Sequence, residues 1–446
     1  MTAIMFRIVE GKFILCKTFY YKKYDFNEQM GVLTLTYQAD AFTFCETITF
    51  PNAPFNLTDE QKNTLNDIFF LTHIAFGISY YKAFLSPKII IESGTLSKEQ
   101  ADFFEIFYLH GLGEFSVKNN VNINIKFPFG KQTTGSHDIH LKDNTFVPIG
   151  GGKDSCVSIE LLKEMNKSIT AFSVGSPAPI MQCASVADIP HTILTRNISP
   201  ELIRLNETGT VYNGHVPITG LIAFLLWASA VIYNHRYVAM SCERSANSPN
   251  MILNGIPINH QYSKSFDFEQ DFLKITSSIT PKFRYFSLLR PISEMHIAKL
   301  FAKKCSNYFD IFTSCNKAFK LDETKRLTGW CGCCDKCRFV FLILAPFMNK
   351  EKLIQIVGKN PLNDASQLTG FEELLGLSGH KPFECVGEVK ECRYALKMLA
   401  KNSAWQDDFI VKKISQKFIQ NEEDIFIPSS NHLIKKEFKN VMEKFK

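Results

Sequence analysis

The sequence predicts an α/β protein centred on a parallel sheet with helices on both faces, and three observations predict it. Apolar, strand-like runs at 146–149, 169–174, 192–196 and 237–241 alternate with helical stretches, the pattern of parallel strands joined by crossovers. Each run ends in, or leads straight into, small or polar residues, as the ligand edge of such a sheet requires. The first run passes into Gly150-Gly151-Gly152-Lys153-Asp154-Ser155. That glycine turn opens a helix expected to start at about Ser155, because Val157, Ile159, Leu161 and Leu162 follow with helical spacing.

The remaining elements arrange themselves around this sheet. Residues 1–140 are expected to form an α+β domain, with strands at 6–19, 31–37 and 41–50 and helices near 61–76 and 98–110. No chemical motif marks this segment, and its position ahead of the glycine turn suits either substrate recognition or a plain extension of the fold. Residues 141–300 form the sheet domain on this reading, and 301–446 a helical region around a cysteine cluster. The uncharged run 218–233 is shorter than the roughly 20 apolar residues of a bilayer span, so it is expected to be a core helix. Ile434, Phe438, Val441, Met442 and Phe445 predict a docked terminal helix over 432–446.

Composition sets outer bounds. A chain of 446 residues has the length of two or three domains. With 45% hydrophobic and 21% charged residues it is an ordinary globular protein, and its 40 phenylalanines should dominate the core. The net charge of +6 fits a small anionic ligand and argues against a dedicated nucleic-acid surface. Thirteen cysteines, an odd number, and an opening without a basic leader region lead us to expect a reducing, cytoplasmic setting.

The glycine turn has the makings of an anion site. Gly150, Gly151 and Gly152 let backbone N–H groups close on phosphate oxygens at a helix N-terminus. Lys153 adds a compact cation, Asp154 can hold Mg²⁺ through oxygen, and Ser155 can donate a hydrogen bond. The spacing is too short for a Walker loop. A second signal is Cys331-x2-Cys334-x2-Cys337, whose thiolates can converge on one ion, with Cys315 upstream as the fourth ligand and Cys333 out of register. Structural zinc is the first reading; an iron–sulfur cluster or free thiols are the alternatives. Glu243 and Arg244 follow the fourth strand at the ligand edge, as nucleotide contacts or as a solvated pair. Arg290 is either an anion clamp or an ion pair with Glu294. His380, Glu384, Cys385 and Glu388 crowd into nine residues with the side chains that move protons, in what is otherwise an ordinary loop.

The glycine turn resembles the pyrophosphate loop of ATP pyrophosphatases, S-G-G-x-D-S, with Gly150 in place of the serine. The four cysteines resemble the zinc site of the 7-cyano-7-deazaguanine synthases. Six separated segments, in order, resemble the MurL family: 150–155, Cys-Glu-Arg-Ser-Ala at 242–246, Asn-His-Gln-Tyr-Ser-Lys-Ser at 259–265, Tyr-Phe-Ser-Leu-Leu-Arg-Pro at 285–291, the cysteine motif at 330–339, and His-Lys-Pro-Phe-Glu-Cys-Val-Gly-Glu at 380–388. Asp335 departs from the family's expected proline. The resemblance covers roughly 140–400 and implies a fold like that of the adenine nucleotide α-hydrolases.

It also implies an ATP- and Mg²⁺-dependent epimerase of peptidoglycan biosynthesis, hence of cell shape. Its substrate would be UDP-MurNAc-L-Ala-L-Glu, supplied by a muramyl ligase that adds L-glutamate. The chemistry is coherent. The α-proton beside a free carboxylate is very weakly acidic, and adenylation makes it removable by replacing the anion with a mixed anhydride. Lys153 and Asp154 would then serve adenylation, and Cys385, His380 and Glu384 proton transfer, with Glu388 next; cyclisation to an oxazolone is a second route to the same acidity. Rival readings are an ATP pyrophosphatase that amidates or thiolates a base or tRNA, and a zinc-stabilised binding module.

Overall fold

The computed structural model describes residues 13–131, 134–253, 255–320, 323–379, 381–417 and 425–445. They fall into two compact units. One comprises Met1–Asn56, Asn66–Thr134 and Arg196–Val216, the other Leu57–Leu65, Gly135–Thr195 and Pro217–Lys446. Apart from Arg196–Val216, segments 141–300 and 301–446 therefore share one unit, and residues from both line a single buried core.

The first unit carries strands β1 (Thr18–Asn27), β2 (Val32–Ala39), β3 (Phe42–Thr49) and β4 (Lys88–Ile91), in the order β3-β2-β1-β4. β1–β2 and β2–β3 are antiparallel and β1–β4 is parallel. Residues 6–12 of the expected strand at 6–19 lie outside the described ones, and β1 begins at Thr18 and runs on past 19. Alternation explains the extension. Phe19 and Tyr21 are buried, so the period-2 pattern that builds the sheet continues past 19. Tyr21 and Tyr108 share a 2.7 Å hydrogen bond and Tyr108 also donates to Ile74 O, so buried phenols keep partners.

The second unit is built on β5 (Lys142–Pro148), β6 (Ile169–Val174), β7 (His191–Asn197), β8 (His235–Met240) and β11 (Arg284–Ser287), in the order β11-β8-β5-β6-β7. All four pairings are parallel, and helices flank the sheet. A small antiparallel hairpin, β9 (Met251–Leu253) and β10 (Ile256–Ile258), stands apart. The chain runs outward from β5 through β6 to β7, then returns to place β8 on the other side of β5. That reversal makes the crevice between the carboxyl ends of β5 and β8 the natural ligand position of such a sheet.

The apolar run forms the buried Ile218–Ile232 helix, with Trp227 Nε1 donating to Thr280 Oγ1 at 2.7 Å. Among the described residues no helix is long and apolar enough to cross a membrane. The tail is docked but is not the continuous helix its spacing suggests. It has a single turn at Lys436–Phe438 and a short helix at Val441–Lys444. Phe438 anchors it between Tyr237 and Phe286, with ring centroids 5.0 and 4.9 Å away. Burial of each aromatic, rather than helix propagation, sets this path.

Candidate functional site

The glycine turn sits at the crevice. The following helix, Lys153–Glu164, begins two residues before the expected Ser155 and has Gly152 as its N-cap, with no side chain capping it. Its first-turn N–H groups are thus left for an external anion. Gly151 adopts φ +75°, and its carbonyl accepts from Thr313 N at 2.9 Å. A Cβ on Gly152 would lie 2.7 Å from Ser314 Oγ, whereas at Gly150 it would meet nothing within 4 Å. Glycine is therefore demanded by the backbone at 151, a side chain at 152 would have to displace the Ser314 hydroxyl, and Gly150 faces open space. Ser155 Oγ lies 3.4 Å from Gly150 N and donates to Gly152 O, bracing the turn.

Three carboxylates gather beside it. Asp154 from the turn, Glu243 from the loop after β8 and Glu294 from the Glu294–Lys304 helix bring oxygens within 4.8 Å of one another. Lys153, 1% exposed, pairs with both Asp154 and Glu294. Burial opposes the charge of Lys153, but Asp154 and Glu294 more than offset this and hold the ammonium above its ordinary range. Burial likewise pushes Asp154 up, yet Lys153, Lys336 and Lys264 bring it below the usual carboxylate range. Glu243 is pushed up by burial and by Asp154, and Glu294 reaches about 7 by burial. Glu243 Oε1 is buried without a hydrogen-bond partner. An orphaned carboxylate oxygen facing two other carboxylates is the donor set of a hard divalent cation.

A reactive thiol completes the site. Lys264 Nζ lies 3.1 Å from Cys385 Sγ, His260 hydrogen-bonds the same sulfur, and Lys336 donates to the Cys385 carbonyl. Burial raises the thiol, but Lys264, His260 and Lys336 prevail and hold it well below its ordinary value. Next to it, burial raises Glu384, whose carboxylate accepts from Asn316 Nδ2. Asn250 and Gln261 tie down this loop through Pro382 O and Val386 O. His380 lies outside the described residues. Glu388 is the N-cap of the Val389–Ala400 helix, in a reciprocal capping box with Glu391, and its Oε2 lies 3.1 Å from Lys390 Nζ.

The cysteines converge as their spacing suggested. Sγ atoms of Cys315, Cys331, Cys334 and Cys337 all lie within 4.8 Å of one another. Cys334–Cys337 and Cys331–Cys337 are 3.4 and 3.7 Å apart, close to the roughly 3.8 Å edge of a tetrahedron with metal–sulfur bonds of about 2.3 Å. Cys333 touches Cys331 at 3.7 Å but stands outside the four. Cys334 caps the Asp335–Leu344 helix, whose N-terminus favours thiolates.

Two arginines take other places. Arg290 is 1% exposed and spends its guanidinium on Glu269 Oε2 at 2.9 Å, Glu243 O at 2.7 Å and Lys264 O at 2.6 Å. Its ion-pair partner is thus Glu269, not Glu294, and it fixes the backbone of two site residues. Arg244 donates to Ile427 O and Ile425 O and is neither a solvated partner of Glu243 nor aimed at the carboxylates. Lys264, His260, Lys336 and Glu294 are site members that motif reading did not assign. The polar density of 259–265 was the available signal for the first two.

The fold and the site define an α/β protein with a glycine turn, an acidic trio and a thiol held by cations at one sheet edge. Residues 13–288 match the family model described as MurL N-terminal domain, and 311–425 the MurL C-terminal domain. The chain belongs to the MurL family. Its relatives include three proteins named UDP-N-acetyl-alpha-D-muramoyl-L-alanyl-L-glutamate epimerase. The protein from Xanthomonas oryzae pv. oryzae is 39% identical over 89% of this chain and 88% of its own length. Those from Micromonospora sp. and Salinispora tropica are 37% and 38% identical, covering 88% and 83% of this chain and 89% and 81% of their own.

Proposed function

We propose that this chain inverts the terminal L-glutamate of UDP-MurNAc-L-Ala-L-Glu to D-glutamate, with ATP cleaved to AMP and diphosphate. The observation that carries the proposal is the meeting, at one crevice, of a turn suited to phosphates and a thiol suited to a proton. Lys264 links the two, bonded to Cys385 and close enough to Asp154 and Glu243 to shift both. The family supplies the substrate. The α-carboxylate attacks the α-phosphorus of ATP, diphosphate departs, and the α-proton of the resulting mixed anhydride becomes removable.

Within that sequence the turn 150–155 binds phosphates and Lys153 offsets charge as diphosphate leaves. Asp154, Glu243 and Glu294 would hold Mg²⁺, which neutralises the leaving group. Arg290 positions Glu243 and Lys264 through their carbonyls. Cys385 and Glu384 exchange the α-proton. The four cysteines would hold a structural Zn²⁺, closed to substrate. Cys315 is followed by Asn316, the partner of Glu384, and Lys336 between Cys334 and Cys337 holds the Cys385 carbonyl, so that site braces the proton-transfer loop. A uridylated precursor places the reaction in the cytoplasm, downstream of a ligase that adds L-glutamate.

The test is direct. Protein incubated with ATP, Mg²⁺ and UDP-MurNAc-L-Ala-L-Glu should yield AMP and D-glutamyl product in equal amounts. AMP formed only with RNA or a purine base would support the base-modifying alternative, and no ATP cleavage at all would defeat the proposal.

A further inference from the structure

Inversion requires a proton to leave one face of the α-carbon and another to arrive on the opposite face. A single group that took and returned the proton on one side would regenerate the starting isomer. Glu384 and Cys385 are consecutive and both partly buried, but their surroundings differ. The sulfur meets the Lys264 ammonium at 3.1 Å and the His260 ring, while Lys336 holds the carbonyl of the same residue. The Glu384 carboxylate accepts from the neutral amide of Asn316, with His260 and Lys336 acting on it only at longer range.

Resting on the epimerase reading above, we infer that Cys385 stands as a thiolate and takes the α-proton of the L-glutamyl residue, while Glu384 stands as a carboxylic acid and delivers a proton to the other face. The electrons balance. The C–H pair passes to the α-carbon and into the activated carbonyl as the S–H bond forms. The Glu384 O–H bond then breaks, a new C–H bond forms, and a carboxylate is left behind. Exchange with solvent returns one proton from sulfur and supplies one to Glu384. The displacement of the two groups in opposite directions, the thiol down and the carboxyl up, agrees with this division. Environments that drive two acids apart assign one as base and the other as acid. Lys264 and His260 are then positioning residues: they act on substrate through Cys385.

The experiment uses the full chain with ATP, Mg²⁺ and the L-substrate in D₂O. Wild type should place deuterium in the D-product and leave recovered L-substrate unlabelled. Glu384→Gln should lose inversion by about 100-fold or more yet wash deuterium into recovered L-substrate, since removal from that face survives. Cys385→Ala should still release AMP, which reports a folded site, with neither label nor inversion. Alkylation of Cys385 by iodoacetamide, read by peptide mass, should be fast even at about pH 6 and slow at least about 10-fold in Lys264→Met. Label washed out by Cys385→Ala but not by Glu384→Gln would overturn the assignment alone. AMP release by wild type with no D-glutamate would overturn the epimerase reading, and this inference with it.

Discussion

Two buried clusters of charge lie in the second unit, and they are built to opposite rules. Around Arg290 each guanidinium nitrogen has a protein acceptor, and its carboxylate partner, Glu269, also accepts from Ser287 N at 2.9 Å. Around Lys153 three carboxylates crowd one directly bonded ammonium, and Glu243 keeps an oxygen with no partner. The first cluster is complete and its work is structural. The second is left short of positive charge, a cost of the order of 1–3 kcal/mol for the orphaned group alone. A fold tolerates such a deficit where a ligand makes it good.

The largest effect should come from breaking the incomplete cluster. Asp154→Asn should lower ATP-dependent AMP release by about 10³-fold or more, since it removes a carboxylate that would hold the Mg²⁺ neutralising the departing diphosphate, and leave the melting temperature nearly unchanged. Arg290→Met should do the reverse in kind. Stranding Glu269 in the core should cost about 3–5 kcal/mol of unfolding free energy, and adding Glu269→Leu should restore much of it; denaturant titration measures both. Glu243→Gln sharpens the contrast. It should raise the Mg²⁺ needed for half-maximal activity about 10-fold or more, yet stabilise the metal-free protein by about 1 kcal/mol, because an uncompensated buried charge is gone.

The cysteine cluster gives a third comparison. Cys334→Ser should reduce bound zinc, measured by elemental analysis, and lower the melting temperature, whereas Cys333→Ser should leave zinc content and stability within about 0.5 kcal/mol of wild type. A last effect concerns pH. Glu391 is fully buried, and burial raises it to about 7 from 4.5. Between those values the folded chain keeps a proton that the unfolded chain has released. Stability is therefore greatest below about pH 4.5 as far as this group is concerned, and falls by at most about 3 kcal/mol as pH rises through 7. Glu391→Gln should flatten that slope in unfolding curves measured across the window.

The chemistry that lies contiguous in the chain was legible. Six consecutive residues make the glycine turn that opens the Lys153–Glu164 helix, and the spacing of Cys331, Cys334 and Cys337 with an upstream Cys315 brought together all four sulfurs. The strands at 169–174 and 192–196 were readable from apolar runs bounded by breakers. What could not be read is convergence. Glu294 and Lys336 reach the site from separate helices, and nothing local in their sequence distinguishes them from solvated charges. Arg290 shows the converse error, since a guanidinium looks the same in sequence whether it clamps a ligand or a carbonyl. Glu388 caps a helix, a role the sequence could not separate from proton transfer because both use a carboxylate in a polar loop. The tail carries helical spacing without a long helix, since its aromatics are placed by the core they fill.

Oxygen tracing reads out whether the glutamyl carboxylate is adenylated. UDP-MurNAc-L-Ala-L-Glu labelled with ¹⁸O in the α-carboxylate should pass one labelled oxygen to AMP when the mixed anhydride is opened by water at carbon. Unlabelled AMP alongside D-glutamyl product, or inversion with ATP withheld, would contradict the account.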